Sequence, residues 1–285
     1  MKTVAILTDT NSGITPEKAK EKGIELMAMP VFIDGKEYFE YADITLKEFF
    51  DRLTGGAQVS TSQPSPGMVT DRWDKILENY DTLIYFPMSS GLSSACALAK
   101  VLAAEYENRV FVADNKCISG TLYESVMDAA ALREQGKTAE EIVAFCEQQS
   151  EHAVIYFLVD TLEYLKKGGR ITPAEAAIGM MLGIKPVLTV KGGKLEVYKK
   201  VRGIKAAMET AIDGIVTDLE TRSADEKLRI RTAYSGDEKV GRDWQRIVAG
   251  RFPDFEIEID PIPISISCHT GPGALGVGIF RTVRD

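Results

Sequence analysis

The chain has 285 residues, of which 45% are hydrophobic and 27% charged, with a net charge of −8. That length suits one large or two ordinary globular domains, with a core large enough to spare a cavity. The acidic balance argues against binding a nucleic-acid backbone or adsorbing to an anionic membrane, and no apolar run approaches the ~20 residues of a membrane span.

Val4 to Leu7 forms a short apolar strand ending at Thr8-Asp9-Thr10-Asn11-Ser12-Gly13. Asp9 interrupts that run too early for a signal peptide, so the expected location is the cytosol. Thr15-Pro16 marks a helix start, with threonine as cap and proline at the first helical position. Ile24 to Ile33 reads as one strand, and Asp34-Gly35 as a hairpin turn. Thr45-Leu46-Lys47-Glu48 is a capping-box pattern. Residues 54 to 67 read as a long polar loop carrying Ser60, Thr61 and Ser62, closed by Ser65-Pro66 at the start of another helix.

Thr82 to Met88 is an apolar run that reads as a buried strand, and a helix of small residues follows from Ser93. Between them stand Ser89, Ser90, Gly91, Leu92, Ser93 and Ser94. A strand that passes into a helix through hydroxyl residues aims free N–H groups and the positive end of the helix dipole at one spot, which suits a phosphate or a carboxylate. In this stretch Ser89 and Ser90 read as caps, and Ser93 as the hydroxyl that meets a ligand. A strand (Arg109 to Ala113), a helix (Ser119 to Gln135) and a second capping box at Thr138 complete the first half. Strand and helix alternate, with polar residues after each strand, as in an open parallel sheet that binds beyond the carboxyl ends of its strands.

From Ala153 the pattern changes. A strand and a short helix are followed by the break Gly168-Gly169-Arg170, and Thr172-Pro173 opens an apolar helix through Leu182. A hairpin at Lys191-Gly192-Gly193-Lys194, a long helix from Arg202, a strand, a helix and two last strands follow. The expected architecture is α/β in two domains. Residues 1–152 form a three-layer α/β/α parallel sheet, and residues 153–285 an α/β layer with a mixed sheet.

The residue pattern bears on three chemistries. Gly271-Pro272-Gly273-Ala274-Leu275-Gly276 matches G-x-G-x-x-G, yet it precedes a last strand and not a helix, so dinucleotide binding is rejected. Cys96, Cys117, Cys146 and Cys268 form no C-x-x-C pair, so no metal is expected. The histidines are His152, read as a surface residue, and His269, read as part of a glycine-rich turn. A serine esterase or acyl-transfer enzyme using Ser93 and His269 stays open, although no G-x-S-x-G elbow is present. Anion binding without chemistry uses Thr61, Ser93, Ser94 and His269 together, since hydroxyls, helix N–H groups and an imidazole can hold a carboxylate.

Five separated segments then resemble the DegV family, the bacterial fatty-acid-binding proteins. They are Thr8 to Gly13, Thr61 to Pro66, Ser89 to Ser94, Leu165-Lys166-Lys167-Gly168-Gly169-Arg170-Ile171, and His269 to Gly273, in the family's order and across nearly the whole chain. The sequence departs at Ser94-Ala95-Cys96, where family members commonly carry Gly-Thr-Tyr. The resemblance implies two α/β domains enclosing a long-chain fatty acid, its carboxylate held by Thr61 and Ser93 with His269 nearby, and no other cofactor. It implies a carrier and not a catalyst, presenting the acid to a separate ATP-dependent fatty acid kinase protein whose acyl phosphate feeds phospholipid synthesis. A tail of ~14 methylenes at about 0.8 kcal/mol each would dominate affinity. Ile178, Met181 and Leu182 are the expected tail contacts, and Arg170 is expected to meet either the head group or the kinase. A binding protein for another amphipathic carboxylate is the remaining option.

Overall fold

The computed structural model describes residues 3–172 and 183–284. The expected tail contacts Ile178, Met181 and Leu182, and the helix opening at Thr172-Pro173, fall outside the described residues.

The first sheet has strand order β2-β1-β6-β7, built from β1 (Val4–Asp9), β2 (Ile24–Met27), β6 (Thr82–Phe86) and β7 (Val110–Val112), all parallel. Its central strands carry unbroken apolar runs, Val4 to Leu7 and Leu83 to Phe86, because both faces are covered. Ala5, Leu7, Leu83 and Tyr85 pack under α3 (Pro66–Leu77) and α4 (Ala95–Ala103). Ile6, Ile84 and Phe86 face α5 (Gly120–Glu134) and α6 (Ala139–Gln149). This is the expected three-layer arrangement. The expected caps form: Thr15 on α1 (Pro16–Lys22), Ser65 on α3, and full capping boxes at Thr45 on α2 (Leu46–Thr54) and Thr138 on α6.

The second sheet is mixed, with order β10-β9-β8-β13-β11-β12. Its strands are β8 (Val154–Leu158), β9 (Ile184–Lys191), β10 (Lys194–Arg202), β11 (Leu228–Tyr234), β12 (Ile257–Pro261) and β13 (Leu275–Arg281). Only β11 and β12 pair in parallel. One face, with Val154, Tyr156, Val277 and Ile279, is buried under α8 (Ile204–Glu220) and α9 (Glu238–Arg251). The opposite face looks toward the first half. Every strand of the first sheet precedes residue 152 and every strand of the second follows it, and we propose the 152/153 junction as the domain boundary. Among the described residues no helix is long and apolar enough to cross a membrane.

Two readings of the sequence are corrected by a third, small antiparallel sheet, β4-β3-β5. Ile24 to Ile33 is not one strand. It splits into β2 and β3 (Pro30–Ile33), which lie in different sheets. Pro30 has no N–H for a ladder, and the Met29 N–H donates to Thr10 Oγ1 at 3.2 Å instead of to a strand. The polar loop is not all loop either: Val59–Thr61 forms β5, pairing Val31 with Thr61 and Ile33 with Val59, while β4 (Lys36–Phe39) closes the other edge.

The segment around His269 is likewise not a turn. Ile264–Thr270 is a helix, α10. Its Ile264 and Cys268, one turn apart, pack with Val31, Ile33 and Phe49, and the buried Glu40 carboxylate accepts from the Ile264 N–H at 3.1 Å. Tertiary burial therefore overrides a segment whose residues alternate as in a strand.

Candidate functional site

Docking α10 against the small sheet brings Thr61, at the end of β5, to His269. Thr61 Oγ1 and His269 Nε2 stand 2.9 Å apart across 208 residues of sequence. The same cleft is lined by Ser93 and Ser94 at the start of α4 and by Arg170, just beyond α7 (Glu163–Lys167). The five polar residues singled out from the sequence thus share one cavity of about 990 Å³, its open mouth included.

Their hydroxyls are not equivalent. Ser93 Oγ accepts from the Ala95 N–H at 3.2 Å, which leaves its own proton free to point into the cleft. Ser94 Oγ instead donates to Gln63 Oε1 at 2.7 Å. Ser89 and Ser90 do not cap α4. A tight turn, with the Leu92 and Ser93 N–H groups on Ser89 O, intervenes before the helix begins. Buried Ser89 donates to the Gly193 carbonyl at 3.2 Å, and Ser90 Oγ accepts from Lys116 Nζ at 2.5 Å.

His269 is half-buried, and Arg170 stands beside it. Burial, and then the Arg170 charge, push the imidazole pKa down to about 4. It is therefore neutral at physiological pH. The unfolded chain takes up this proton near 6.5 and the folded chain only near 4, so the unfolded state binds more protons between those values. Stability from this group is present above 6.5 and is lost as pH falls toward 4. An NMR titration of the unliganded protein is expected to place the His269 midpoint near 4. A midpoint at the ordinary histidine value would contradict the burial described here.

Sequence reasoning missed a supporting network behind the cleft. Asp9 accepts from the Met88 N–H at 3.0 Å, the Asn11 N–H at 3.0 Å and Asn11 Nδ2 at 2.8 Å. The Asn11 side-chain oxygen in turn accepts from Ser265 Oγ on α10. Burial raises Asp9 to about 6, against these donors, which lower it. The carboxylate thus ties the end of β1 to the stretch after β6 and, through Asn11, to the helix that carries His269. Its signal was the segment Thr8 to Gly13, noticed in the sequence without a role.

Next to the polar cleft lies an apolar channel of about 690 Å³, its open mouth included. The two adjoin, sharing the walls Ile118, Phe157, Ile266 and Thr270. The channel runs between α5 and the free face of the second sheet, over Gly276 and Gly278 of β13. Among the described residues no cluster could hold a metal ion, and the four cysteines are buried free thiols.

A polar cleft beside an apolar channel, set between a parallel and a mixed sheet, defines a two-domain α/β protein with adjoining polar and apolar cavities. The family described as "Uncharacterised protein, DegV family" matches residues 3–282; the chain belongs to the DegV family. A DegV domain-containing protein of Deinococcus radiodurans is 30% identical over 278 residues, covering 97% of this chain and 98% of its own. Among solved structures, a DegV family protein from Thermus thermophilus, described by its fatty acid binding, superposes with a TM-score of 0.88 at 31% identity, over 98% of this chain and 99% of its own. A fatty acid binding DegV family protein from Streptococcus agalactiae gives 0.87 at 27% identity, over 98% and 99%.

Proposed function

We propose that this protein binds a long-chain fatty acid and presents its carboxylate to a separate ATP-dependent fatty acid kinase, which makes an acyl phosphate for phospholipid synthesis. The observation that carries the reading is that the hydroxyl-and-imidazole cleft and the apolar channel adjoin at Phe157 and Ile266. With His269 Nε2–H donating to Thr61 Oγ1, the threonine proton turns to the ligand. Thr61 and Ser93 then supply two donors to one carboxylate, the α4 N-terminus adds its dipole, and Arg170 and Ser94 sit at the rim. The mouth beside Ser93, Arg170 and Lys194 is open to solvent, as a head group offered to a second protein requires.

The geometry favours a carrier over an esterase. A catalytic histidine needs an orienting acceptor on its second nitrogen, and among the described residues His269 Nδ1 has no hydrogen-bond partner. Mass spectrometry of the purified protein, native and then denatured, is expected to release a bound long-chain fatty acid. Thr61→Ala, Ser93→Ala and His269→Ala should each weaken binding by roughly tenfold, with little change in thermal unfolding. ATP-dependent phosphorylation of the acid should require the added kinase. A protein that carries no acyl chain and binds none when offered would end the proposal. Ester hydrolysis lost in Ser93→Ala would replace it with the enzyme reading.

A further inference from the structure

The channel's depth can be read from strand register. On the face of the second sheet that meets α5, side chains fall into rows about 7 Å apart. Gly276 of β13 pairs with Phe157 of β8 and Ala233 of β11. The next row is Gly278 with Ile155 and Arg231, and the third is Phe280 with Arg229. Phe157 also lines the polar cleft, so the Gly276 row is the near one and depth increases toward Arg229.

The two glycines are not alike. A Cβ built at Gly276 meets first only its strand neighbours, Phe157 Cβ at 3.6 Å, Ala233 Cβ at 3.9 Å and Tyr156 O at 3.9 Å. No atom of the overlying helices is among these nearest three, and Gly276 itself lines the channel. A Cβ at Gly278 would lie 3.3 Å from Ile155 Cγ1 and 3.6 Å from Thr121 Cγ2 of α5, so there the roof comes down onto the floor. Gly120 of α5 likewise lies against Arg231, with a Cβ at 3.5 Å from both Cβ and Cδ.

Beyond that pinch the wall is charged. Arg231 Nη1 is 2.7 Å from Glu124 Oε1, and its Nη2 is 2.7 Å from Asp260 Oδ2. Glu124 is also paired with Arg284, whose Nε is 2.6 Å from Asp128 Oδ1. This buried network joins α5 to the second sheet and the C-terminal segment. Its charges are mutually satisfied, and an acyl chain pushed among them would strip hydrogen bonds without replacing them. A hydrocarbon gains by filling the Gly276 chamber and gains nothing further on.

We propose that Gly276 is a specificity-determining residue of the channel. Its missing side chain makes the chamber that receives the distal part of an acyl tail, and the Gly278 pinch with the Glu124–Arg231 pair sets the length limit. This rests on the fatty-acid reading above. A side chain at 276 starts on the channel face, and the strand neighbours leave room for its Cβ at ordinary contact distance.

The test is a series of saturated fatty acids of increasing length, titrated into delipidated native protein, Gly276→Ala and Gly276→Val, with circular dichroism confirming the fold of each. Displacing two methylenes should weaken binding by roughly tenfold. Gly276→Val is thus expected to lose about tenfold or more for the longest acids that the native protein accepts. It should hold its affinity for the shortest binders within about twofold, with Gly276→Ala between the two. An unchanged length profile in a folded Gly276→Val, or an equal loss at every length, overturns the assignment while leaving fatty-acid binding intact. Failure of the native protein to bind any acid overturns the functional reading along with it.

Discussion

Gly168→Ala is expected to weaken fatty-acid binding by roughly ten- to a hundredfold, though residue 168 need not touch the ligand. Gly168 ends α7 with φ −76° and ψ −3°, a conformation that alanine adopts freely. The obstacle is space. A Cβ there would overlap His269 Nδ1 and sit 2.7 Å from Cε1 and 3.2 Å from Cγ. The ring cannot simply swing aside, because its other edge is held 2.9 Å from Thr61 Oγ1. Either the imidazole leaves that threonine or α7 backs away from α10. Both outcomes disorganise the donors proposed to hold the carboxylate, and hydrogen bonds to a charged group contribute about 1.5–3 kcal/mol. The same clash should destabilise the fold by about 1–3 kcal/mol. A double-mutant cycle isolates the cause. In a His269→Ala background the ring is gone, and Gly168→Ala should then have almost no effect on unfolding. An equal destabilisation in both backgrounds would show that the glycine serves some other purpose.

How much of this was legible depends on where each residue's partners lie. The first sheet could be read because a doubly covered parallel strand is a near-continuous apolar run, as Leu83 to Phe86 is, and because helix starts are local events: Thr45 with Glu48 and Thr138 with Glu141 contain their own partners. The small sheet could not. Val59–Thr61 is polar on average, and its pairing partner β3 lies far back in the chain. Nor could α10, whose stretch Ile264-Ser265-Ile266-Ser267 alternates like a strand until Val31, Ile33 and Phe49 bury one side of it. The site fell between these cases. Thr61, Ser93, Arg170 and His269 come from four different elements, and no spacing links them; only the ordered set of family segments did. Gly276 and Gly278 carried a usable signal, since glycines two apart on a strand vacate one face of a sheet, but the sequence did not say which face mattered.

The second large effect is expected at Gly91, where the halves of the molecule come backbone against backbone. A Cβ at Gly91 would overlap the Gly193 carbonyl oxygen and lie 3.0 Å from its carbon. Gly193 is in the turn of the β9–β10 hairpin, and that same oxygen accepts the Ser89 hydroxyl at 3.2 Å. Leu195, two residues further on, lines the polar cleft. Gly91→Ala must therefore lift the hairpin tip, because a backbone carbonyl has no rotamer to yield, and Leu195 moves with it. Dissociation of a bound fatty acid should accelerate by about tenfold or more, with faster amide exchange confined to residues 184–202. Ser89→Ala is the informative companion. It removes one hydrogen bond, worth about 0.5–1.5 kcal/mol, and inserts nothing. If backbone contact between the two glycines holds the hairpin wall against the cleft, Ser89→Ala should change release only a few-fold while Gly91→Ala changes it strongly. Equal effects from the two substitutions would assign the hold on the hairpin to the hydroxyl, and no effect from Gly91→Ala would mean that the hairpin's position does not govern release.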